Sequence, residues 1–275
     1  MHPIAFHFGY FTVHWYGIMV AVAFIAGLWT ASRRAAREGI NPEKIVDLGP
    51  WLIAGSFLGA RIVYVVTYWN DEFTGGSVWE IFKVWKGGLV FYGGLIGAVL
   101  AVIIYVNLKG LPVWKTGDAL TPSIPLGYFF GRIGCLMTGC CFGKPCSLAW
   151  AIRFPNQSPA WDRQHHEGLV GQFDSSLPVH PTQIYDSLLN LVLYLGLAWL
   201  YRRKKFDGEV FGVYLVCYAL TRSFVESFRG DYPADHIHAG LTSAQVLSIV
   251  IVLSGVVVLW WRWKAGQTRA SSRAS

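Results

Sequence analysis

The sequence predicts an all-α, polytopic membrane protein, and three observations support this fold class. Of the 275 residues, 53% are hydrophobic and only 14% are charged, whereas a soluble domain carries about 25% charged residues. The mean hydropathy is +0.40. The apolar residues are grouped into about seven runs, each long enough to cross a bilayer as a helix.

The seven predicted spans lie near residues 13–32, 47–69, 88–108, 117–138, 183–201, 209–228 and 242–263. The fourth span is interrupted by Pro122, Pro125 and several glycines. A broken helix at membrane depth is tolerated where it faces protein or a water-filled cavity. The fourth span is therefore the first candidate to line a site.

The basic residues predict an orientation. Fourteen of the 23 lysines and arginines follow the first, third, fifth and seventh spans, as is typical of cytoplasmic loops. We therefore expect the N-terminus to lie outside and the C-terminus to lie in the cytoplasm. The same distribution accounts for the net charge of +7. It argues against nucleic acid as a partner, because no basic face is formed.

Residues 1–266 are expected to form a single integral membrane domain. Within it, residues 141–182 are rich in Pro, Gly, Gln and His, and we interpret them as a small irregular periplasmic cap. Residues 267–275 are polar and small, which predicts a disordered cytoplasmic tail.

The segment 131–143 is the most informative part of the chain, because it places Arg132 among glycines in an apolar stretch. An arginine in hydrocarbon costs about 2.5–3.5 kcal/mol on insertion scales and marks a function by default. A guanidinium group offers a planar, two-point grip for phosphate, and Arg229 is the second candidate for this role. Ion pairs with Asp118 or Glu226, and snorkelling to the head groups, are the alternatives.

Other candidate residues lie near the predicted outer ends of the spans: His14, Tyr16, Arg61, Tyr92, Gly93, Gly94 and Glu226. An interfacial position is the alternative explanation for the tyrosines. Close helix packing is the alternative for the glycines.

Four cysteines, Cys135, Cys140, Cys141 and Cys146, follow one another closely, and Cys217 lies alone in the sixth span. In an oxidising compartment, Cys146 could pair with one of the two adjacent cysteines. Free thiols and a metal site are the alternatives, and the absence of a C-x-x-C pair argues against the metal.

Together these motifs resemble those of the prolipoprotein diacylglyceryl transferase family, over most of the chain. The segment 131–134 and Gly143 match the family's Gly-Arg-x-Gly motif and its later glycine. Residues 92–95 correspond to His-Gly-Gly-Leu, and residues 180–185 to His-Pro-Ser-Gln-x-Tyr. Arg229 corresponds to a late essential arginine that follows a Glu-containing helix.

Three positions depart from the family pattern. Cys135 stands in the place of an asparagine, Cys140 in the place of a glutamate, and Tyr92 in the place of a histidine often proposed as a base. The arginines and the glycines are kept, whereas the positions that handle protons are changed.

The resemblance implies an enzyme of the bacterial inner membrane with a periplasmic N-terminus. It would transfer the diacylglyceryl group of phosphatidylglycerol to the lipobox cysteine of prolipoproteins, with glycerol 1-phosphate released and no metal or organic cofactor. The resemblance also implies catalytic roles for Arg132, Arg229, Tyr92 and Tyr16. Substrate-binding roles are expected for Arg132, Arg229, His14, Arg61, Gly93, Gly94, Gly143 and Glu226. The general base is left open, with His14 and Glu226 as alternatives to Tyr92.

Two other classes of function fit part of the sequence. The cysteines of residues 135–146 suit a membrane thiol-redox protein, and the broken fourth span suits a lipid or anion transporter. The lack of a C-x-x-C pair argues against the first class, and the lack of an internal repeat argues against the second.

Overall fold

The computed structural model describes residues 3–9, 11–74, 78–84, 87–231, 237–238 and 241–274. Helices dominate this part of the chain, and its strands form two short antiparallel pairs. The predicted all-α, polytopic class is confirmed.

The helices are α1 (Trp15–Arg37), α2 (Pro42–Val46), α3 (Leu48–Thr67), α4 (Phe91–Leu108), α5 (Val113–Leu120), α6 (Ser123–Thr138), α7 (Pro159–His166), α8 (Thr182–Tyr201), α9 (Glu209–Glu226) and α10 (Ser243–Ala274). A π-helical turn (Trp69–Phe73) and a 3₁₀ helix (Val78–Phe82) lie between α3 and α4. The strands are β1 (Ile4–Phe8), β2 (Phe11–His14), β3 (Ile237–His238) and β4 (Leu241–Thr242).

A helix lies at each of the seven predicted positions. Five helical segments are long and apolar enough to cross a membrane: Trp15–Arg37, Pro42–Thr67, Phe91–Leu108, Thr182–Tyr201 and Ser243–Gln267. Of the other two, α6 has only 16 residues and α9 contains three charged residues. That these two also cross the membrane stays a prediction.

The surface of the long helices is apolar. Large side chains stand more than half exposed along these helices, among them Ile25, Val66, Val192 and Leu253. A soluble monomer rarely exposes apolar surface on this scale. These side chains therefore suit contact with lipid.

The chain forms two compact units, Met1–Thr30 with Gly117–Ser275, and Ala31–Thr116. That residues 1–266 act as one membrane domain stays a prediction. Helix α10 continues to Ala274, so its backbone is helical through most of the stretch that we expected to be a disordered tail. The side chains from residue 268 onward lie outside the described part.

In the first unit, α6 packs on α8, α8 on α9, and α9 on α10. The N-terminal part of α1 packs on α6 through small residues. A Cβ atom on Gly134 would lie 3.0 Å from the ring of Tyr16, and Ser123 Oγ donates to the Gly27 carbonyl at 2.6 Å. Small residues thus hold α1 against the helix that carries Arg132.

In the second unit, α3 and α4 cross at four glycines, Gly55, Gly59, Gly93 and Gly97. A Cβ atom on Gly97 would overlap the Gly55 carbonyl and lie 2.9 Å from Gly59 Cα. A Cβ on Gly93 would overlap the Gly59 carbonyl. The two backbones therefore touch, as small residues allow between membrane helices.

Residues 141–182 are largely irregular and include α7, which fits the predicted cap. Their small core consists of Phe142, Phe154, Ala160 and Val179. Single antiparallel bridges join Gly143 to Arg229, and Val179 to Pro145 and Ile152. The cap is therefore tied to the segment that follows α9.

Candidate functional site

Arg132 is buried on α6, with 8% of its surface exposed. Its Nε lies 2.7 Å from Asp186 Oδ2, and its Nη2 donates to the Tyr128 hydroxyl at 2.9 Å. The guanidinium carbon also lies 4.8 Å from the centre of the Tyr128 ring. These contacts fix the position of the Arg132 guanidinium before any ligand binds.

Asp186, on α8, is the carboxylate partner of Arg132. It is 2% exposed, and its Oδ1 accepts from Asn190 Nδ2 at 3.0 Å. The charges of Arg222 and Arg229 also act electrostatically on this carboxylate. The Arg132–Asp186 pair joins α6 to α8.

The other two arginines have carboxylate partners of their own. Arg222 Nη1 lies 2.5 Å from Glu226 Oε2, one turn along α9. Arg229 forms a two-point pair with Asp231, at 2.9 Å between Nε and Oδ1 and 2.5 Å between Nη2 and Oδ2. Arg229 Nε also lies 3.9 Å from Glu226 Oε2.

We call Arg132, Arg222, Arg229, Asp186, Glu226 and Asp231 the arginine cluster. The exposed fractions of its arginine side chains are between 8% and 13%. The arginine cluster has equal numbers of cationic and anionic groups. An incoming phosphate must therefore displace a carboxylate from an arginine, or bind an arginine that keeps its carboxylate partner. Burial strengthens such interactions, because the local dielectric is low.

Tyr16 packs against α6, because its ring would lie 3.0 Å from a Cβ atom on Gly134, two residues from Arg132. The residue is 48% exposed, and its catalytic role stays a prediction. His14 is exposed at the end of β2, where it pairs with Ile4. Its predicted substrate contact stays a prediction.

Cys135, Cys140 and Cys141 form what we call the thiol cluster. Their Sγ atoms all lie within 4.8 Å of one another, and each residue is half-buried. All five cysteines of the chain are free thiols in the structure, so it does not contain the disulfide with Cys146 that we considered.

The end of α6 and the motif 180–185 together fix the positions of the three cysteines in the thiol cluster. Gly139 ends α6 in the left-handed conformation with φ +80°, which glycine adopts at little cost. The chain then turns back, and the Cys140 amide donates to the Cys135 carbonyl at 3.2 Å. Thr182 Oγ1 donates to the Cys141 carbonyl and Gln183 Nε2 to the Cys140 carbonyl, each at 2.7 Å.

Gly143 lies where two backbone segments meet. A Cβ atom there would lie 2.5 Å from His180 Cβ and 2.9 Å from the Phe228 carbonyl. Its amide donates to the His180 carbonyl at 3.1 Å, and it forms a bridge with Arg229. This packing requires a glycine and positions Arg229, while a direct substrate contact of Gly143 stays a prediction.

The remaining predicted site residues lie in the second unit. Arg61 donates to four backbone carbonyls, those of Glu80, Ile81, Gly87 and Gly88, at 2.7–3.1 Å. These bonds give it a structural role. Its predicted substrate role is untested.

Tyr92 is 62% exposed near the start of α4, where its ring makes an edge contact with Phe91. Gly93 packs against α3, and Ser56 Oγ donates to the Gly94 carbonyl at 3.1 Å. Helix packing explains both glycines without a ligand. The substrate-binding roles of these glycines and the catalytic role of Tyr92 stay predictions.

The ion-pair alternative was wrong for Asp118. Its Oδ2 pairs with Lys204 Nζ at 3.1 Å and accepts from the Gly208 amide at 2.8 Å. Its Oδ1 accepts from the Phe211 amide at 3.1 Å. Asp118 lies on α5, before the break at Pro122, so it meets the chain between α8 and α9 rather than Arg132.

Sequence reasoning missed Asp186 and Tyr128 as site residues. It grouped Arg222 with Glu226 and Arg229 but gave it no role in the site. Asp186 is an acidic residue inside an apolar run, which by default marks a function in a membrane. Arg222 and Glu226 are four residues apart, the spacing of a helical ion pair. The acidic residue in an apolar run and the four-residue spacing are both visible in the sequence. Neither pattern, however, shows that Asp186 is the partner of Arg132.

Comparison with known proteins identifies the family of this chain. A family model described as "Prolipoprotein diacylglyceryl transferase" matches residues 3–261. A Pseudomonas aeruginosa protein is 34% identical over 98% of this chain and 97% of its own length. A Bacillus licheniformis protein is 34% identical over 95% and 93%, and one from Thermosynechococcus vestitus is 32% identical over 90% and 87%.

All three relatives bear the name phosphatidylglycerol–prolipoprotein diacylglyceryl transferase. The family match covers the hairpin before α1, the helices of both units, the thiol cluster and the arginine cluster. The chain belongs to the prolipoprotein diacylglyceryl transferase family.

Proposed function

We propose that this membrane protein transfers the diacylglyceryl group of phosphatidylglycerol to the lipobox cysteine of prolipoproteins. A thioether forms and glycerol 1-phosphate is released. Family membership supports this activity, and so do the names of the relatives. The observation that carries it is the buried arginine cluster, in which Arg132 pairs with Asp186, and Arg222 and Arg229 both meet Glu226.

The chemistry requires stabilisation of negative charge. When the carbon–oxygen bond of the donor lipid breaks, charge develops on the departing phosphate. Preorganised cations in a water-poor site stabilise such charge far more than water does. Arg132 meets this requirement because Asp186 and Tyr128 already hold its guanidinium group in place.

The acceptor must lose a proton, because the thiolate is the nucleophile. Tyr16, which packs at Gly134 and is half-exposed, is suited to orient the lipid head group. Arg222 joins Arg132 and Arg229 as a phosphate-binding candidate, because it shares the Glu226 carboxylate with Arg229.

Replacement of Arg132 tests the proposal. We expect Arg132→Ala to lower transfer from labelled phosphatidylglycerol to a lipobox peptide by about 100- to 1,000-fold, the usual loss for one preorganised donor. Arg132→Lys keeps the charge but not the two-point grip, so it should restore only part of the rate.

The matched control is Arg202→Ala, at an exposed position after α8, which should keep the wild-type rate. Thermal unfolding of each purified variant separates loss of function from loss of fold. Near-normal turnover by a folded Arg132→Ala protein would remove Arg132 from the proposed site.

A further inference from the structure

The thiol cluster has no part in the reaction as described so far. Its three sulfur atoms lie within 4.8 Å of one another, and no disulfide joins them. Their loop is held in place, because Thr182 and Gln183 bind the carbonyls of Cys141 and Cys140. A chain that turns back on itself through Gly139 and a left-handed Cys141 (φ +59°) brings the thiols together.

Three thiolates form a ligand set for zinc. A zinc–sulfur bond of about 2.3 Å implies sulfur–sulfur distances of about 3.8 Å in a tetrahedral site. From separations of at most 4.8 Å, movements of about 1 Å suffice, and side-chain torsions supply these without a change in the backbone.

The thiol cluster is accessible to a ligand. Each of its three residues is half-buried, which leaves the thiols open to an ion and to a further ligand.

We propose that Cys135, Cys140 and Cys141 bind one zinc ion, whose fourth position holds the thiolate of the acceptor cysteine. Catalytic zinc sites typically have three protein ligands and one open position. The metal site follows from the thiol cluster alone, whereas the role of its open position rests on the proposed function.

The step balances without an oxidant or a reductant. The acceptor thiol releases its proton on binding zinc, and its sulfur attacks the glycerol carbon that bears the phosphate. A carbon–sulfur bond forms as the carbon–oxygen bond breaks, and the electron pair goes to the oxygen of glycerol 1-phosphate. The phosphate takes up the proton, and the thioether, a weaker ligand, leaves the zinc.

Metal analysis of the full-length protein in lipid nanodiscs tests the site. We expect about one zinc ion per chain, and cobalt in its place should give thiolate-to-cobalt charge-transfer absorption. Cys135→Ser, Cys140→Ser and Cys141→Ser should each lose that absorption. Cys146→Ser and Cys217→Ser are matched controls that should keep it.

Wild-type protein supplies a readout that does not depend on how the variants fold. Added zinc should protect Cys135, Cys140 and Cys141 from maleimide, as measured by peptide mass spectrometry, while Cys146 stays reactive. Reduced protein that binds neither metal, or metal that remains bound without the three thiols, would overturn the site.

The open position is tested separately. A lipobox peptide with cysteine should change the cobalt spectrum, whereas the same peptide with serine should not. An unchanged spectrum would overturn the acceptor role. Full transfer activity in zinc-free protein would overturn the acceptor role of the zinc and leave the proposed function intact. Bound zinc in a protein that transfers no lipid would overturn the proposed function and leave the metal site intact.

Discussion

At the scale of single residues, Arg61 shows how its surroundings decide what a membrane arginine does. Its guanidinium group donates to four backbone carbonyls from residues 80–88, and its carbon lies 5.3 Å from the centre of the Tyr64 ring. Arg132, by contrast, is held by a carboxylate and a hydroxyl group. The first arrangement fixes a loop, whereas the second leaves a held charge that we propose binds the phosphate of the donor lipid.

We therefore predict that Arg61→Ala destabilises the protein. The loss of these hydrogen bonds, three of them part-buried, should cost about 3 kcal/mol together. The thermal unfolding midpoint should therefore fall, and residues 78–84 should become sensitive to protease. Arg61→Lys should not restore stability, because one ammonium group cannot reach four carbonyls. The exposed Arg37→Ala is the control, and equal stability of the Arg61 and Arg37 variants would contradict the assignment.

At the scale of elements, Asp118 joins α5 to the start of α9. Its carboxylate is fully buried, accepts from two amides at the start of α9 and pairs with Lys204, whose side chain is 8% exposed. It therefore acts on the free amide groups that every helix start presents. This contact fixes the start of the helix that carries Arg222 and Glu226.

Asp118→Ala should cost about 3–5 kcal/mol, because it leaves a buried lysine without its main partner. Asp207, which is 27% exposed and lies 3.4 Å from the same lysine, provides the comparison. Asp207→Ala should cost about 1 kcal/mol or less, as for partly exposed pairs. Denaturant titration in detergent measures both variants, and the reverse order would show that Asp207 is the main partner.

The crossing of α3 and α4 gives a second prediction at this scale. Gly97→Leu forces a side chain into the backbone of α3 and should abolish accumulation of folded protein. Gly196→Leu on α8, where nothing lies within 4 Å of an added Cβ, should fold normally. Size-exclusion profiles of the two variants give the comparison, and two folded variants would mean that the helices can move apart.

At the scale of the whole molecule, the orientation in the membrane rests on the basic segments that follow alternate predicted spans. We propose a periplasmic N-terminus and a cytoplasmic C-terminus. A green fluorescent protein fused after Ser275 should then fluoresce, and a cysteine introduced at Ser271 should resist impermeant thiol reagents in intact cells. A dark fusion, together with labelling from outside, would reverse the topology.

The pattern of apolar runs and basic loops was enough to predict the class, and a helix lies at each predicted position. Local chemistry also predicted the break in the fourth span, because Pro122 cannot donate to a continuing helix. The spacing of hydrophobic residues and the presence of proline determine local structure within one segment of the chain. Helix positions and breaks can therefore be predicted without knowing which segments pack together.

The partners of the site residues could not be predicted in the same way, because they come from distant segments of the chain. Arg132 and Asp186 are 54 positions apart in the printed sequence, and only the packing of α6 on α8 makes them partners. Likewise, the motif 180–185 holds the loop of the thiol cluster only because α8 begins beside the end of α6, where Thr182 and Gln183 donate to the carbonyls of that loop. The sequence by itself determined that this chain is a membrane protein of several helices with arginines in its apolar segments. Tertiary structure decided which carboxylate, hydroxyl and thiol groups meet those arginines, because the energy of a buried charge depends on neighbours brought together by folding.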